Sequence, residues 1–199
     1  MNLAIADLFD TPILPGLATS EHFISETEER ALIARIDDAE LTPFRFQRWT
    51  GKRLTHSFGW KYDFQTGALS RGARMPDWLL PVRERAARFA GIAPDDIVQA
   101  LLIRYDTGAG IGWHKDRPIY EHVLGLSLGT PATMRFRRQR ATRWERVNAP
   151  LVPRALYHLS GEARHEWEHS IAEMDAGVRY SITMRSFSAK GRSLAAAAH

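Results

Sequence analysis

The stretch RYSITMR, Arg179 to Arg185, alternates strictly between polar and apolar side chains. Arg179, Ser181, Thr183 and Arg185 fall on one face of an extended strand, and Tyr180, Ile182 and Met184 fall on the other. Two guanidinium groups therefore share a face, which taken alone suits a solvated surface. Upstream, VQALLIRYD (98–106), HVLGLSLG (122–129), TMRFRR (133–138), RWERVNA (143–149) and ALYHLSG (155–161) are also short, rich in β-prone residues and bounded by Gly, Pro, Asn or Asp. This spacing predicts an antiparallel β-sandwich or jelly roll in the C-terminal half rather than βαβ units.

The N-terminal half reads differently. Ser25 and Glu28 fit a capping box, and Leu32, Ile33 and Ile36 then share a helical face over about residues 26–37. A second helix is predicted over about 77–90, capped by Asp77, striped by Trp78, Leu79, Val82, Ala86 and Phe89, and ended by Gly91. Between them, residues 44–64 are aromatic and β-prone around Thr50-Gly51-Lys52, a good hairpin turn. Phe58, Trp60, Tyr62 and Phe64 are spaced by two, so they line one strand face as core, with Trp60 and Tyr62 the ones expected to stack on an extruded base. The tail SLAAAAH (193–199) shows no core-forming pattern.

Composition narrows the chemistry. The 199 residues, 44% hydrophobic and 25% charged, suit one domain, with or without a lid, and exclude a disordered or collagen-like chain. The absence of cysteine excludes a disulfide framework, a thiolate zinc site, an iron–sulfur cluster and a cysteine nucleophile. Any metal must be held by His, Asp or Glu. No run of 18 apolar residues occurs, and Asp7 and Asp10 interrupt the start, so a cytoplasmic protein without a membrane partner is expected. The formal charge is +4, with Arg135, Arg137, Arg138, Arg140, Arg143 and Arg146 clustered and opposed locally only by Glu145. A hairpin there either guards an edge strand or holds phosphates, with Arg137 and Arg138 as the expected contacts.

Two groups of residues can carry a reaction. After the turn-rich DTGAGIG, His114 and Asp116 fall on the same side of an extended chain, and His169 is the best third ligand. Two histidines and one carboxylate form the facial arrangement that holds Fe(II) and leaves other coordination positions open. By contrast, His165-Glu166-Trp167-Glu168-His169 matches the HExxH of zinc peptidases, which needs both histidines on one helix. Because His169 belongs to both patterns, they exclude each other. A non-catalytic β-sandwich binding RNA through its arginine edge is the third reading.

On IRYDTGAGIGWHKD (103–116), SLG (127–129), the approach to His169 and RYSITMR (179–185), the sequence resembles the AlkB family of Fe(II)- and 2-oxoglutarate-dependent dioxygenases. The similarity is looser through SFGWKYDF (57–64). It implies a mainly β fold with flanking N-terminal helices, a double-stranded β-helix (jelly roll) carrying an N-terminal nucleotide-recognition lid. Residues 1–97 would form the extension and lid hairpin, 98–188 the dioxygenase core and 189–199 a tail. The resemblance assigns iron to His114, Asp116 and His169, the distal carboxylate of 2-oxoglutarate to Arg179, its chelating end to Arg185, and a cosubstrate hydrogen bond to Tyr105. The implied activity is oxidative dealkylation of nucleobases in DNA or RNA by a monomer, releasing formaldehyde and succinate.

Two departures accompany it. Ile103 stands where many members carry an Asn that bonds the cosubstrate, and Arg117-Pro118 stand where base-repair members tend to carry an acidic residue. The run GEARHEWEH is similar to the tRNA-modifying branch, which makes a tRNA hydroxylase or demethylase the alternative to direct-reversal repair.

Overall fold

Helix α1 (Glu26–Asp37) begins as its capping box dictates: Ser25 Oγ accepts from the Glu28 amide at 3.2 Å, and the Glu28 carboxylate accepts from the Ser25 amide at 2.9 Å. Helix α2 (Leu80–Ala90) starts later than its pattern suggests. Asp77–Leu79 forms a 3-10 turn after Pro76, and the Asp77 carboxylate faces Arg74 at 3.7 Å instead of capping. Pro81 explains the delay, since a proline is favoured in a helix's first turn, where its missing N–H leaves no bond unmade. Gly91 closes α2 at φ +68°. These elements belong to a computed structural model that describes residues 12–46, 49–63 and 66–198.

The remaining architecture is antiparallel β. In the major sheet, β1 (Leu17–Ser20), β10 (Leu156–Leu159), β7 (Tyr120–Gly129), β12 (Arg179–Phe187), β5 (Ile97–Tyr105), β3 (Trp49–Tyr62) and β2 (Thr42–Phe46) lie side by side in that order, and β4 (Leu69–Arg71) pairs with β3. The minor sheet runs β6 (Ile111–His114), β11 (Glu168–Ile171), β8 (Ala132–Arg140), β9 (Arg143–Leu151). This is the jelly roll that the strand spacing predicts, and the N-terminal strands β1 to β3 extend its major sheet. Leu32 and Ile36 of α1 and Val82 and Ala86 of α2 pack with Leu102, Leu124, Leu126, Tyr180, Ile182 and Met184 on one face of that sheet. Glu29 of α1 accepts from the Gly129 amide at 2.9 Å and from Arg154 Nη1 at 3.1 Å, fastening the helix to the end of β7.

The alternation of β12 is thereby resolved. Its apolar face meets the helices, while Arg179, Ser181 and Thr183 are buried on the opposite face. They form the floor of a polar hollow between the sheets, not a solvated surface. Gly125 keeps room in that floor: it pairs with Tyr157 on β10, and a Cβ there would collide with the Tyr157 ring.

Three sequence expectations are corrected, and one alternative is excluded. Phe46 pairs with Trp49, so the chain reverses before Thr50, and Thr50, Gly51 and Lys52 continue β3, where β-branched and aromatic residues fit. The aromatic stripe does not share a face. Gly59 has φ +79° and is the point where β3 leaves β5 for β4, so Phe58 packs toward the helices, whereas Trp60 and Tyr62 pack beside Leu69, Ile119, Tyr120 and Phe187. Phe64 lies outside the described residues. The tail forms α4 (Ala189–Ala197), capped by Ser188 and seated by Gly191 and Ala195, because an alanine run has high helix propensity. Finally, α3 (Gly161–His165) ends at His165, whereas His169 lies in β11, so the two histidines of HEWEH do not share a helix. His165 pairs instead with Glu121 at 3.0 Å. The zinc-peptidase geometry is absent.

His158 on β10 sets a pH dependence of stability. It lies 2.9 Å from His122 of β7, and burial, then the neighbouring His122, push its imidazole down to about 4. The unfolded chain protonates it near the ordinary value of about 6.5, so below that pH the unfolded state binds more protons. The contribution is full above about pH 6.5 and is lost toward pH 4, at up to about 1.4 kcal/mol per pH unit. Urea titrations of wild type and His158→Gln at pH 7, 6 and 5 should show a shallower pH slope in the variant. Equal slopes would contradict the assignment.

Candidate active site

Strand pairing brings two of the three metal-ligand candidates together. His114 ends β6 and lies opposite His169 of β11, their rings 4.3 Å apart, and Asp116 follows two residues after His114. Ligand atoms of His114, Asp116 and His169 all fall within 4.8 Å of one another. His114 Nδ1 lies 2.9 Å from the Gly112 carbonyl, which can only accept, so Nδ1 carries the proton and Nε2 offers a lone pair. His169 Nε2 is 3.5 Å from Asp116 Oδ2, and Asp116 Oδ1 accepts from Arg185 Nε at 2.8 Å. Arg185 in turn donates to Gln99 Oε1 at 3.0 Å, and Gln99 donates to the Trp60 carbonyl at 2.9 Å.

The electrostatics keep this donor set ready for a cation. Burial, then the nearby His114, push His169 down to about 3, so its ring is neutral at physiological pH. Burial likewise pushes His114 down. Burial alone would raise the Asp116 carboxyl, but the Arg185 guanidinium beside it overrides burial and holds it well below the usual carboxylate range. From α3, Arg164 Nη2 donates to the carbonyls of Arg117 and Tyr120, at 2.6 Å each, fixing the loop that follows Asp116.

Along the floor from this cluster, Arg179 is 1% exposed and opposite Tyr105 of β5. Its Nη1 donates to Ser127 Oγ at 2.6 Å, while its Nε is buried without an acceptor. Among the described residues no carboxylate pairs with it. Tyr157 stands nearby, its hydroxyl pushed up to about 12 by burial and then by Tyr105, so it stays a neutral hydrogen-bonding group.

The other singled-out residues are placed differently. Trp60 and Tyr62 take packing positions, with Arg71 over the Trp60 ring at 4.9 Å and Arg117 over Tyr62 at 5.3 Å. Arg137 pairs with Glu168 at 2.6 Å and lies between the rings of Trp113 and Trp144, 4.4 and 4.6 Å from their centroids. Arg138 pairs with Glu145, Glu162 and Glu166 at 2.6, 2.9 and 2.8 Å. The local count of a single opposing acid therefore fails, because α3 and β11 bring further carboxylates to the hairpin. Both arginines are ion-paired within the hairpin and its neighbours.

The sequence profile of the 2OG-Fe(II) oxygenase superfamily matches residues 16–186. An Arabidopsis thaliana protein named "Alkylated DNA repair protein ALKBH8 homolog" is 27% identical over 184 residues, covering 79% of this chain and 51% of the relative. A Xenopus tropicalis protein named "tRNA (carboxymethyluridine(34)-5-O)-methyltransferase alkbh8" is 26% identical over 175 residues, covering 85% and 27%. The chain belongs to the AlkB family of these oxygenases. The solved structure of OsALKBH1 supports the fold, with a TM-score of 0.66 at 13% identity over 86% of this chain and 96% of that one. This AlkB-family chain spans 51% of the length of the first relative and 27% of that of the second. Among its described residues no helix is long and apolar enough to cross a membrane.

The residues fit the groups that the family uses, Fe(II) and 2-oxoglutarate. Two neutral imidazoles and one ionised carboxylate are a facial donor set for Fe(II). A buried guanidinium with an unmet N–H and no carboxylate calls for an anionic ligand, which a dicarboxylate cosubstrate supplies. Sequence reading missed Gln99, Ser127, Tyr157 and Arg164 as supporting residues. Gly125 was the available signal for Tyr157, since a glycine inside a strand marks a close approach; Ser127 and Arg164 lie in the quoted SLG and GEARHEWEH runs without a role read for them, and nothing local marks Gln99.

Proposed function

We propose that the protein oxidises a carbon substituent of a nucleobase in a polynucleotide, with RNA as the favoured carrier. The observation that carries the reading is the placement of His114, Asp116 and His169 in one hollow with Arg179, a buried cation that lacks a carboxylate. The nucleic-acid part is supported by the relatives' names, one of which specifies tRNA. His114, Asp116 and His169 would hold the iron. Arg179 would pair with the distal carboxylate of 2-oxoglutarate, supported by Ser127 and Tyr105, and Arg185 would orient Asp116 beside the cosubstrate's other end. With Fe(II) and 2-oxoglutarate bound, dioxygen would be the oxidant, one oxygen atom going to the new C–OH and the other to succinate as the cosubstrate loses CO2.

The chain's own residues position and insulate. The Gly112 carbonyl fixes the proton on His114 Nδ1, Arg185 holds Asp116 ionised, and Tyr157 fills the space left by Gly125. A hydroxyl placed on a carbon bonded to a base nitrogen collapses to release formaldehyde, whereas one placed on a carbon-bonded substituent persists. Mass spectrometry of modified RNA and DNA oligonucleotides incubated with enzyme, Fe(II), ascorbate and 2-oxoglutarate tests the reading. A mass change in an oligonucleotide base, matched by succinate, is expected, with RNA the better carrier. Succinate formed at an equal rate with and without any oligonucleotide, and no base altered, would overturn it.

A further inference from the structure

A chain of hydrogen bonds leads from the candidate metal carboxylate out to the hairpin of β3 and β4. Asp116 Oδ1 accepts from Arg185 Nε at 2.8 Å, which leaves Oδ2, the oxygen 3.5 Å from His169 Nε2, on the side of the imidazoles. Arg185 Nη1 donates to Gln99 Oε1 at 3.0 Å, and Gln99 Nε2 donates to the Trp60 carbonyl at 2.9 Å. The Gln99 amide cannot be turned over, because a guanidinium only donates and a carbonyl only accepts. An ionised glutamate would lack the donor and a lysine the acceptor, so the bridge needs an amide. Gln99 is 8% exposed, which shields both bonds from competing water.

The strand register explains how one side chain reaches both ends. On β5, Gln99 stands between Arg185 of β12 and Gly59 of β3. At Gly59 the chain turns away: its amide donates to the Ala73 carbonyl at 2.7 Å, its carbonyl accepts from the Gly72 amide at 2.8 Å, and from Trp60 onward β3 pairs with β4. A Cβ at Gly59 would meet the Val98 carbonyl, so the strands lie too close there for a side chain. The Gln99 amide therefore takes the Trp60 carbonyl where the ladder between β3 and β5 stops. The Trp60 ring packs on Phe187 and beside Leu69 of β4, which ties the same peptide to the seating of the hairpin. We propose that Gln99 is a positioning residue that holds Arg185 against Asp116 and makes metal retention depend on how the β3–β4 hairpin is seated. The coupling is reciprocal, so a loaded metal site steadies the hairpin by the same factor. It depends on the metal assignment to Asp116 and not on which molecule is oxidised.

The test measures Fe(II) affinity of the full chain under nitrogen, by competition with a coloured chelator. Gln99→Leu should weaken it about tenfold, the lower end of what a partner of a metal ligand is worth. Leu69→Ala loosens the hairpin beside Trp60 while leaving every bond of the chain its donor and acceptor. It should weaken Fe(II) about fivefold in the wild-type background and cause no further loss on top of Gln99→Leu. Gln99→Glu keeps an acceptor for Arg185 but offers the Trp60 carbonyl no donor, so it should hold iron better than Gln99→Leu and also be insensitive to Leu69→Ala. In the reverse direction, Fe(II) should slow amide exchange across Leu69–Arg71 in the wild-type protein and leave it unchanged in Gln99→Leu. A lower melting temperature in Gln99→Leu with wild-type iron affinity would show a purely structural residue and overturn the proposal. Additive losses in the double variant, or the same exchange response to Fe(II) in both proteins, would overturn it as well. A wild-type protein that binds no Fe(II) would instead overturn the metal assignment on which the proposal depends.

Discussion

His169→Ala should lose both iron retention and 2-oxoglutarate-dependent succinate formation, the latter by more than about a hundredfold, since even residues that only support a ligand change affinity or activity by about 10–100-fold. The reason lies in the sheet. β11 holds His169 opposite His114, with Phe136 of β8 in register on its other side, and no other described histidine or carboxylate lies close enough to replace it. The fold should survive, because β11 keeps its backbone pairing with β6 and β8 whatever side chain stands at position 169. His165→Ala is the matched control. That ring is exposed on α3 and paired with Glu121, so iron content and turnover should stay at wild-type levels. Metal analysis of anaerobically purified proteins reads both. Iron retained in His169→Ala, or lost in His165→Ala, would reverse the assignment.

Arg179→Met should raise the 2-oxoglutarate concentration needed for half-maximal succinate formation by about a hundredfold or more, with iron content unchanged. Breaking a buried ion pair by removing one partner costs about 3–5 kcal/mol, which is about a hundred- to several-thousandfold in an equilibrium. The side chain is almost fully buried, its one hydrogen bond among the described residues goes to a neutral serine, and its Nε awaits an acceptor, so the substitution deprives the cosubstrate rather than the fold. Lysine should restore little, because a point charge cannot reproduce the planar fork. Succinate formation measured against 2-oxoglutarate at saturating Fe(II) distinguishes this from metal loss.

The sheet architecture was legible because strand length, turn residues and the polar–apolar alternation of β12 are local properties. The identity of what covers each face was not. Arginines 179 and 185 read as solvated until α1 and α2 claimed the opposite face and left them inside. The candidate metal set was legible because His114 and Asp116 are two residues apart and His169, although shared with the HEWEH pattern, was the best third ligand; register then put it opposite His114. The substrate residues were the least legible. A period of two for the aromatic stripe assumes an uninterrupted strand, and Gly59 breaks it. The charge of the arginine hairpin assumes local neutralisation, and Glu162, Glu166 and Glu168 arrive from later in the chain.

Chelation of Fe(II) by a 2-oxo acid produces a visible charge-transfer absorption under nitrogen, which reports the metal triad and the guanidinium anchor in one titration. The wild-type protein should develop the band only when both Fe(II) and 2-oxoglutarate are present. His169→Ala should develop none at any concentration, and Arg179→Met should reach the wild-type intensity only at far higher 2-oxoglutarate. A wild-type band in His169→Ala, or an unshifted midpoint in Arg179→Met, would contradict the account.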